Sequence, residues 1–280
     1  MNVRIVIDST SDVTPEVRAQ CTVVPLTVHF GEEEYIDGVT MNHRQFYEKL
    51  IESDVLPTTS QPTPEAFAQV YREAKEAGEE VVVLTIAAKL SGTYQSACIA
   101  AMDFPGMVHV VDSQTAAIGG GILAELAVEL ARQGLTAAQI AEELTRRRED
   151  VCLVAMLDTL EFLKRGGRLS KTAAFAGALL SIKPVITLQK GEIVVLGKAR
   201  GSKQANNLLA TEIQKAGGAN FSAPILLGYS GLSDELLRKY IADSAPLWEG
   251  QAQQLNITPI CGVIGTHAGP GAIAVAFFKK

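Results

Sequence analysis

The chain has 280 residues, of which 47% are hydrophobic, and its formal net charge at pH 7 is −6. This length is enough for one large domain or two ordinary domains with a sizeable core. The acidic balance argues against a broad nucleic-acid-binding surface, which requires clustered positive charge. The longest apolar runs, residues 81–88 and 173–182, are too short to cross a bilayer, so we expect no stable membrane anchor.

The cysteines and the first residues predict a cytoplasmic protein. The cysteines lie far apart and form no Cys-x-x-Cys pair: Cys21, Cys98, Cys152 and Cys261. Asp8 and Asp12 interrupt the apolar stretch that a signal peptide requires. We therefore expect reduced thiols in the reducing cytoplasm.

Strands and helices alternate through residue 150. Residues 3–7, 81–86 and 108–111 are short apolar runs typical of buried strands, and each leads into a polar segment. The alternation predicts a mainly parallel sheet with helices on both faces. Ligands of such sheets bind at the carboxyl ends of the strands, so residues 8–12 are either part of a site or a plain capped loop.

Two further segments of this half carry specific expectations. Residues 22–30 predict one strand, in which Pro25 confines part of the run to a sheet edge. Residues 119–121 are three glycines inside a predicted helix over residues 116–132, where each glycine costs about 1 kcal/mol of helix propensity relative to alanine. We expect them there because another part of the backbone packs closely against this helix.

The pattern changes after residue 150. Residues 152–157 predict a strand, and residues 173–180 predict a helix of small residues. Two apolar runs on either side of residues 189–192 indicate a β-hairpin, and hence a mixed or antiparallel sheet. The sequence therefore predicts an α/β protein of two domains, residues 1–150 with a mainly parallel sheet and residues 151–280 with a mixed or antiparallel one.

A proline-rich stretch, residues 56–65, carries polar side chains to the start of a helix. Its three prolines predict a stiff loop outside helix and sheet, and Thr63 followed by Pro64 is a typical helix start. Free N–H groups at a helix N-terminus suit an anion or a carboxylate, although an ordinary capped loop has the same pattern. The polar residues are Thr58, Thr59, Ser60, Gln61 and Thr63.

Two other stretches could carry chemistry. Ser91 and Thr93 flank a glycine before a helix, where they could hold a carboxylate, or Ser91 could act as a nucleophile. Residues 265–271 predict an irregular loop with His267 at its centre, either a structural histidine or a hydrogen-bonding group of a site. Residues 228–232 lack the final glycine of a nucleophile elbow, which weakens a hydrolase assignment.

The sequence predicts no cofactor and no metal site. There is no P-loop motif, the four histidines lack zinc-type spacing, and no acidic cluster suggests a two-metal site. One basic loop stands out on the acidic chain and is either a solvated surface or a docking patch for an anionic or protein partner. It contains Lys164, Arg165, Arg168 and Lys171, and Arg200 lies in a similar basic setting.

Five segments together resemble the DegV family of bacterial lipid-binding proteins over essentially the whole chain. They are residues 7–12 (IDSTSD), 58–62 (TTSQP), 90–97 (LSGTYQSA), 157–161 (LDTLE) with 165–168 (RGGR), and 265–271 (GTHAGPG). None of them is specific alone, but their combination in this order is. One departure is Ala274, where the family leads us to expect glycine, and it concerns the packing of the last strand.

The resemblance implies a non-catalytic protein that buries a long-chain fatty acid at the interface of its domains. The family includes the fatty-acid-binding subunit of the bacterial fatty acid kinase, whose separate kinase subunit uses ATP to form an acyl phosphate for phospholipid metabolism. For this chain, the resemblance implies that the carboxylate is held by Ser91, Thr59 or Ser60, Thr266 and His267, with support from Arg200. It also implies that Arg168, with Arg165, docks the kinase.

Three alternatives stay open at this point. An acyl hydrolase would use Ser91 with His267. A subunit like that of dihydroxyacetone kinase would bind a small ketone covalently through His267. A lipid-bound regulator would have no kinase partner.

Overall fold

The computed structural model describes residues 2–169 and 182–280, so the helix expected over residues 173–180 and the side chain of Lys171 lie outside the described residues. The described residues form thirteen strands and ten α-helices. The strands are β1 (Asn2–Asp8), β2 (Cys21–Val24), β3 (Thr27–Phe30), β4 (Glu33–Ile36), β5 (Thr58–Ser60), β6 (Glu79–Thr85), β7 (Val108–Asp112), β8 (Val151–Met156), β9 (Ile182–Gln189), β10 (Glu192–Arg200), β11 (Ile225–Tyr229), β12 (Asn256–Pro259) and β13 (Ile273–Phe278). The helices are α1 (Pro15–Arg18), α2 (His43–Glu52), α3 (Pro64–Glu76), α4 (Thr93–Ala101), α5 (Ile118–Arg132), α6 (Ala137–Arg147), α7 (Glu161–Arg165), α8 (Gly201–Lys215), α9 (Glu235–Asp243) and α10 (Gly262–Ala268).

The strands form three sheets. A parallel sheet has the order β2-β1-β6-β7, a six-stranded sheet has the order β10-β9-β8-β13-β11-β12, and a small antiparallel sheet has the order β4-β3-β5. In the six-stranded sheet β11 and β12 pair in parallel, whereas the other neighbouring strands pair antiparallel. The predicted α/β class, with a parallel sheet followed by a mixed one, is therefore confirmed. In the part of the chain that is described, every helix is too short or too polar to cross a membrane.

The change of sheet coincides with residue 150, but the core crosses it. The described strands of the parallel and the small sheet precede this residue, and those of the six-stranded sheet follow it. One apolar cluster nevertheless contains Leu84 and Ile118 from the first half together with Ala155 and Ala274 from the second. The two halves share a core, and their division into two domains stays a prediction.

Pro25 divides the single strand expected over residues 22–30, so that prediction was wrong. The part before the proline pairs with β1 in the parallel sheet, and the part after Leu26 pairs with β4 and β5 in the small sheet. Proline has no N–H group for a strand ladder. The ladder therefore ends at this residue, and the chain turns into a second sheet.

The polar segment after β1 is buried and structural. The Asp8 carboxylate accepts hydrogen bonds from the backbone N–H groups of Thr10 at 2.9 Å and Ile86 at 2.7 Å, which joins the ends of β1 and β6. The glycines of α5 pack against the same segment. A Cβ atom added to Gly121 would collide with the Asp12 carbonyl oxygen, so the expected close approach of backbone is confirmed.

Candidate functional site

An apolar cavity is lined by the six-stranded sheet, the residues after β6, the residues before α5 and helix α10. Its volume is about 110 Å³, counted as the positions that the centre of a water-sized sphere can occupy. Both sides of residue 150 contribute to the wall. Most of the lining side chains are apolar, and they include Leu26, Ile86, Leu153, Ile186, Ile264 and Ala272.

Small residues give the sheet side of the cavity its depth. Ala155 pairs with Ala274 across β8 and β13, and Ala274 pairs with Gly228 across β13 and β11. All three line the cavity, and they form one row across the sheet. The row leaves room that larger side chains would fill. Position 274 holds alanine where glycine was expected, but alanine is also a small residue and belongs to this row.

The polar side chains that line the cavity, among the described residues, are Thr59, Ser91, Arg168, Ser230 and His267. Thr59, Ser91, Arg168 and His267 form one group, because Thr59 and Arg168 act on His267 and Arg168 reaches the backbone next to Ser91. The Thr59 hydroxyl lies 3.1 Å from His267 Nε2. The charge of Arg168 acts on the same imidazole, and its guanidinium bonds to the residue before Ser91.

The proline-rich stretch enters the site as a strand, not as the predicted loop. Thr58–Ser60 pairs antiparallel with β3, and Pro57 and Pro62 flank this short strand without interrupting it. The three residues of the strand keep their N–H groups, so they can join a ladder at the edge of the sheet. The predicted helix start at Thr63 is confirmed, with its side chain accepting from the N–H group of Ala66.

Strand geometry separates the two adjacent candidates of this segment. Successive side chains of a strand point to opposite faces. Thr59 accordingly lines the cavity beside His267, while the Ser60 hydroxyl is exposed and lies 2.8 Å from His29 Nε2. Of these two candidates, the structure brings Thr59 to the site.

Helix α10 replaces most of the irregular loop that was expected over residues 265–271. Its glycines allow close packing, because a Cβ atom on Gly265 would collide with the Tyr47 hydroxyl. Gly269 follows the helix with φ of 73° and ψ of 176°, a backbone conformation that is essentially restricted to glycine. The Thr266 hydroxyl donates to the Gly262 carbonyl at 3.0 Å inside the helix, and Thr266 is not among the lining residues of the described chain.

His267 is a largely buried, neutral imidazole. Burial, and then the charge of Arg168, lower its pKa to about 4. Its Nδ1 atom is buried without a hydrogen-bond partner among the described residues. A Cβ atom on Gly166 would collide with this nitrogen, so the glycine makes room for the ring.

Ser91 stands just before α4. Its hydroxyl lies 2.9 Å from the Thr93 hydroxyl and 3.4 Å from the Thr93 backbone nitrogen. The Gln61 side chain donates to the Ser96 hydroxyl at 3.0 Å and occupies the space where Gly92 has no side chain. These contacts hold the proline-rich stretch against the start of α4, so that β5 and Ser91 reach the same cavity.

Two of the three arginines selected from the sequence lie outside the cavity wall. Arg168 lines the cavity, and its guanidinium donates to the Leu90 carbonyl at 3.1 Å and to the Gly166 carbonyl at 2.6 Å. Arg165 is exposed at the end of α7. Arg200 is exposed at the end of β10, and it is not among the cavity-lining residues of the described chain.

Ser230 is a lining residue that the sequence analysis did not select. Its buried hydroxyl donates to the Gly269 carbonyl at 2.7 Å and accepts from the Ala272 N–H group at 2.8 Å, which ties the end of β11 to the start of β13. Residues 228–232 carry no motif for this role. These contacts join two segments about forty positions apart, which meet only in the folded chain.

The geometry does not form a Ser-His-acid triad. His267 Nε2 faces Thr59, the Ser91 hydroxyl faces Thr93, and the described residues place no hydrogen-bonding carboxylate at His267 Nδ1. Two hydroxyls, an imidazole and a guanidinium on the wall of an apolar cavity can instead bind the carboxylate of a molecule with an apolar tail.

Comparisons with known proteins show which family the chain resembles. The family model described as "Uncharacterised protein, DegV family" matches residues 2–280. A DegV domain-containing protein of Deinococcus radiodurans is 39% identical over 282 residues, which cover 99% of this chain and 98% of that protein. A fatty-acid-binding DegV family protein from Thermus thermophilus is 37% identical with a TM-score of 0.89, and the match covers 99% of this chain and 100% of that one.

Two more distant solved structures have the same fold. A stearic-acid-binding protein from Eubacterium ventriosum is 27% identical with a TM-score of 0.86, covering 100% of this chain and 99% of that one. The fatty acid kinase (Fak) B3 protein of Streptococcus pneumoniae, solved with linoleic acid, is 26% identical with a TM-score of 0.85, covering 100% of both chains. Because the family model matches almost every residue, this chain belongs to the DegV family.

Proposed function

We propose that this protein binds a long-chain fatty acid in the apolar cavity and presents its carboxylate to a partner fatty acid kinase. The observation that carries the proposal is the group formed by Thr59, Ser91, Arg168 and His267 on the wall of an otherwise apolar cavity. The ligands of the Thermus thermophilus and Eubacterium ventriosum proteins support the ligand class, and the Fak B3 protein supports the kind of partner.

The size and composition of the cavity suit an acyl chain. A slot that is one acyl chain wide contains few positions for the centre of a water-sized sphere, so a volume of about 110 Å³ is compatible with a long, narrow slot. A C16 chain has about 14 methylenes, and burying them contributes roughly 11 kcal/mol. Association costs roughly 4–15 kcal/mol. The gain from burying the chain is larger than most values in this range, provided that the cavity is preformed.

The polar group supplies what the carboxylate loses on leaving water. An unpaired carboxylate in an apolar site costs several kcal/mol, so donors must face it. The hydroxyls of Thr59 and Ser91 and a ring nitrogen of His267 are donors of this kind, and Arg168 adds a positive charge. We include Thr59 in the carboxylate site in preference to Ser60, whose hydroxyl is on the opposite face of β5.

The proposal assigns the chemistry to the partner. The cytoplasmic kinase supplies ATP and transfers a phosphoryl group to the bound carboxylate, while this protein holds the acyl chain and has no catalytic residue of its own. The unpartnered Nδ1 of His267 is unfavourable for the hydrolase alternative, because a serine hydrolase requires an acid to orient the histidine. The apolar wall is unfavourable for a small, polar ketone.

Lipid extraction tests the binding step. Purified protein is denatured and extracted, and mass spectrometry of the organic phase is expected to find about one fatty acid per chain. Ser91→Ala is expected to retain less lipid, whereas Ser60→Ala is the matched control and is expected to retain as much as wild type. A protein that is empty and takes up neither added oleate nor added palmitate would overturn the proposal.

A coupled assay tests the presentation step separately. The lipid-loaded protein, a bacterial fatty acid kinase subunit and ATP are expected to form acyl phosphate, which hydroxylamine traps as a hydroxamate. Neither protein alone is expected to give this product. Lipid-loaded protein that gives no hydroxamate with the kinase of its own cell would refute presentation while leaving lipid binding intact.

A further inference from the structure

Two aspartates are buried side by side at the N-terminal end of α10, behind the cavity wall. The Asp12 carboxyl accepts from the Cys261 N–H group at 2.8 Å, and the Asp37 carboxyl accepts from the Gly262 N–H group at 3.1 Å. The residues are 6% and 5% exposed. Because the donating N–H groups belong to consecutive residues, the two carboxyl groups are neighbours.

The second oxygen of each carboxyl group is buried without a hydrogen-bond partner among the described residues. Two neighbouring carboxylates that are both ionised in such a place would repel each other, and each would lose its hydration. The described chain also groups no three acidic, histidine or cysteine side chains that could hold a metal ion there. The groups that face the pair are the hydroxyls of Ser9 and Tyr47, the thiol of Cys261 and the guanidinium of Arg18, with the imidazole of His43 packed beyond Tyr47.

We propose that Asp12 and Asp37 are positioning residues that hold a single proton between them, and that this protonated pair holds α10 in place. The helix carries Val263, Ile264 and His267 into the cavity wall, so its orientation decides where the imidazole stands. Loss of the shared proton leaves two buried negative charges that repel each other, and this repulsion displaces the start of the helix. This role of the aspartate pair depends on the proposed fatty-acid binding in only one measurement, the release of bound lipid.

The electrostatics of the pair agree with a shared proton. Burial raises the pKa of both carboxyl groups, and the charge of Asp37 raises the pKa of Asp12 further. Groups whose pKa values are raised by folding contribute stability that is fully present below the unfolded value, near 3.8, and is lost as the pH rises through the folded values. The contribution of the pair to stability therefore decreases toward alkaline pH.

Asparagine variants test the shared proton, because an amide has the shape of a protonated carboxyl group and cannot ionise. Lipid-free wild type, Asp37→Asn and Asp12→Asn are unfolded thermally between about pH 5 and about pH 9. The melting temperature of each variant relative to wild type is expected to increase by a few degrees toward the alkaline end. Asp103→Asn, at an exposed position, is the matched control and is expected to show no such trend.

Two further measurements complete the test. The infrared band of a protonated carboxylic acid is expected in wild type near neutral pH and is expected to weaken in Asp37→Asn. This comparison does not require Asp12→Asn, so it can be made even if that variant does not fold. Release of bound oleate is expected to accelerate with pH in wild type but not in the variants. Melting-temperature differences that are constant with pH, or no carboxylic acid band in wild type, would overturn the proposal. An inability to bind oleate would refute only the proposed function, because the unfolding series uses lipid-free protein.

Discussion

Acidification is expected to destabilise the lipid-free protein through His267. Burial, and then the charge of Arg168, lower the pKa of this imidazole from 6.5 to about 4 in the folded chain. As the pH falls, the unfolded chain therefore binds the proton before the folded chain does. The stability that the neutral ring contributes is complete above pH 6.5 and is lost as the pH falls toward about 4.

The size of the effect follows from the shift. The pKa changes by about 2.5 units, and each unit corresponds to about 1.36 kcal/mol, so the loss is about 3 kcal/mol once the pH is below 4. A loss of this size is a large part of the roughly 5–15 kcal/mol that stabilises a typical domain. In the proposed function a fatty acid carboxylate lies near the ring and would favour its protonated form, so the loss is expected to be smaller in the lipid-loaded protein.

Urea unfolding of wild type and His267→Gln between about pH 8 and about pH 4 isolates this contribution, because the difference between the two proteins cancels the titration of the aspartates. The free energy of unfolding of wild type is expected to fall by about 3 kcal/mol more than that of the variant. Thr59→Val is the matched control, since it removes the hydrogen-bond partner of the ring but leaves the ring able to titrate. Parallel loss of stability in wild type and His267→Gln would show that the ring is not held neutral by burial.

Four other substitutions have defined outcomes. Arg168→Ala is expected to reduce both lipid retention and acyl-phosphate formation, because the guanidinium reaches the cavity wall. Arg165→Ala is expected to reduce acyl-phosphate formation alone. Equal lipid loss in both variants would contradict this difference. Ala274→Leu fills the row of small residues and is expected to shift the bound acids toward shorter chains in the extracted lipid. Gly166→Ala places a Cβ atom against His267 Nδ1 and is expected to lower the melting temperature by several degrees, and an unchanged value would mean that the ring moves freely.

Local rules predicted the elements that depend on neighbouring residues. The helix start at Thr63 follows from a hydrogen bond to a residue three positions later, and the missing side chains of the α5 glycines predict close packing without identifying its partner, Asp12. The strand at Thr58–Ser60 could not be predicted this way, because its partner β3 is about thirty positions earlier in the chain. Pro57 and Pro62 permit the strand, but only the pairing creates it.

The site shows the same difference between what neighbouring residues predict and what distant contacts decide. Thr59, Ser91 and His267 were selected from the sequence and lie together on the cavity wall. Thr266 was selected as well, but in helix α10 its hydroxyl donates to the Gly262 carbonyl, and it is not among the described residues that line the cavity. The segment was expected to be a loop, in which this contact within a helix turn does not form. Ser230 was missed because its partners, Gly269 and Ala272, lie about forty positions later in the chain.

Arg168 connects the two roles that the sequence assigned to different residues. It was expected to contact a partner, yet its guanidinium donates to Leu90 beside Ser91 and to Gly166, which packs on His267. One side chain therefore holds Leu90 and the loop after α7 close to His267. In the proposed function, a kinase that docks on the exposed side of this loop, at Arg165, would contact a segment whose backbone also packs against His267. Docking and exposure of the carboxylate would then be coupled by contacts over two or three residues, without a long-range change of the fold.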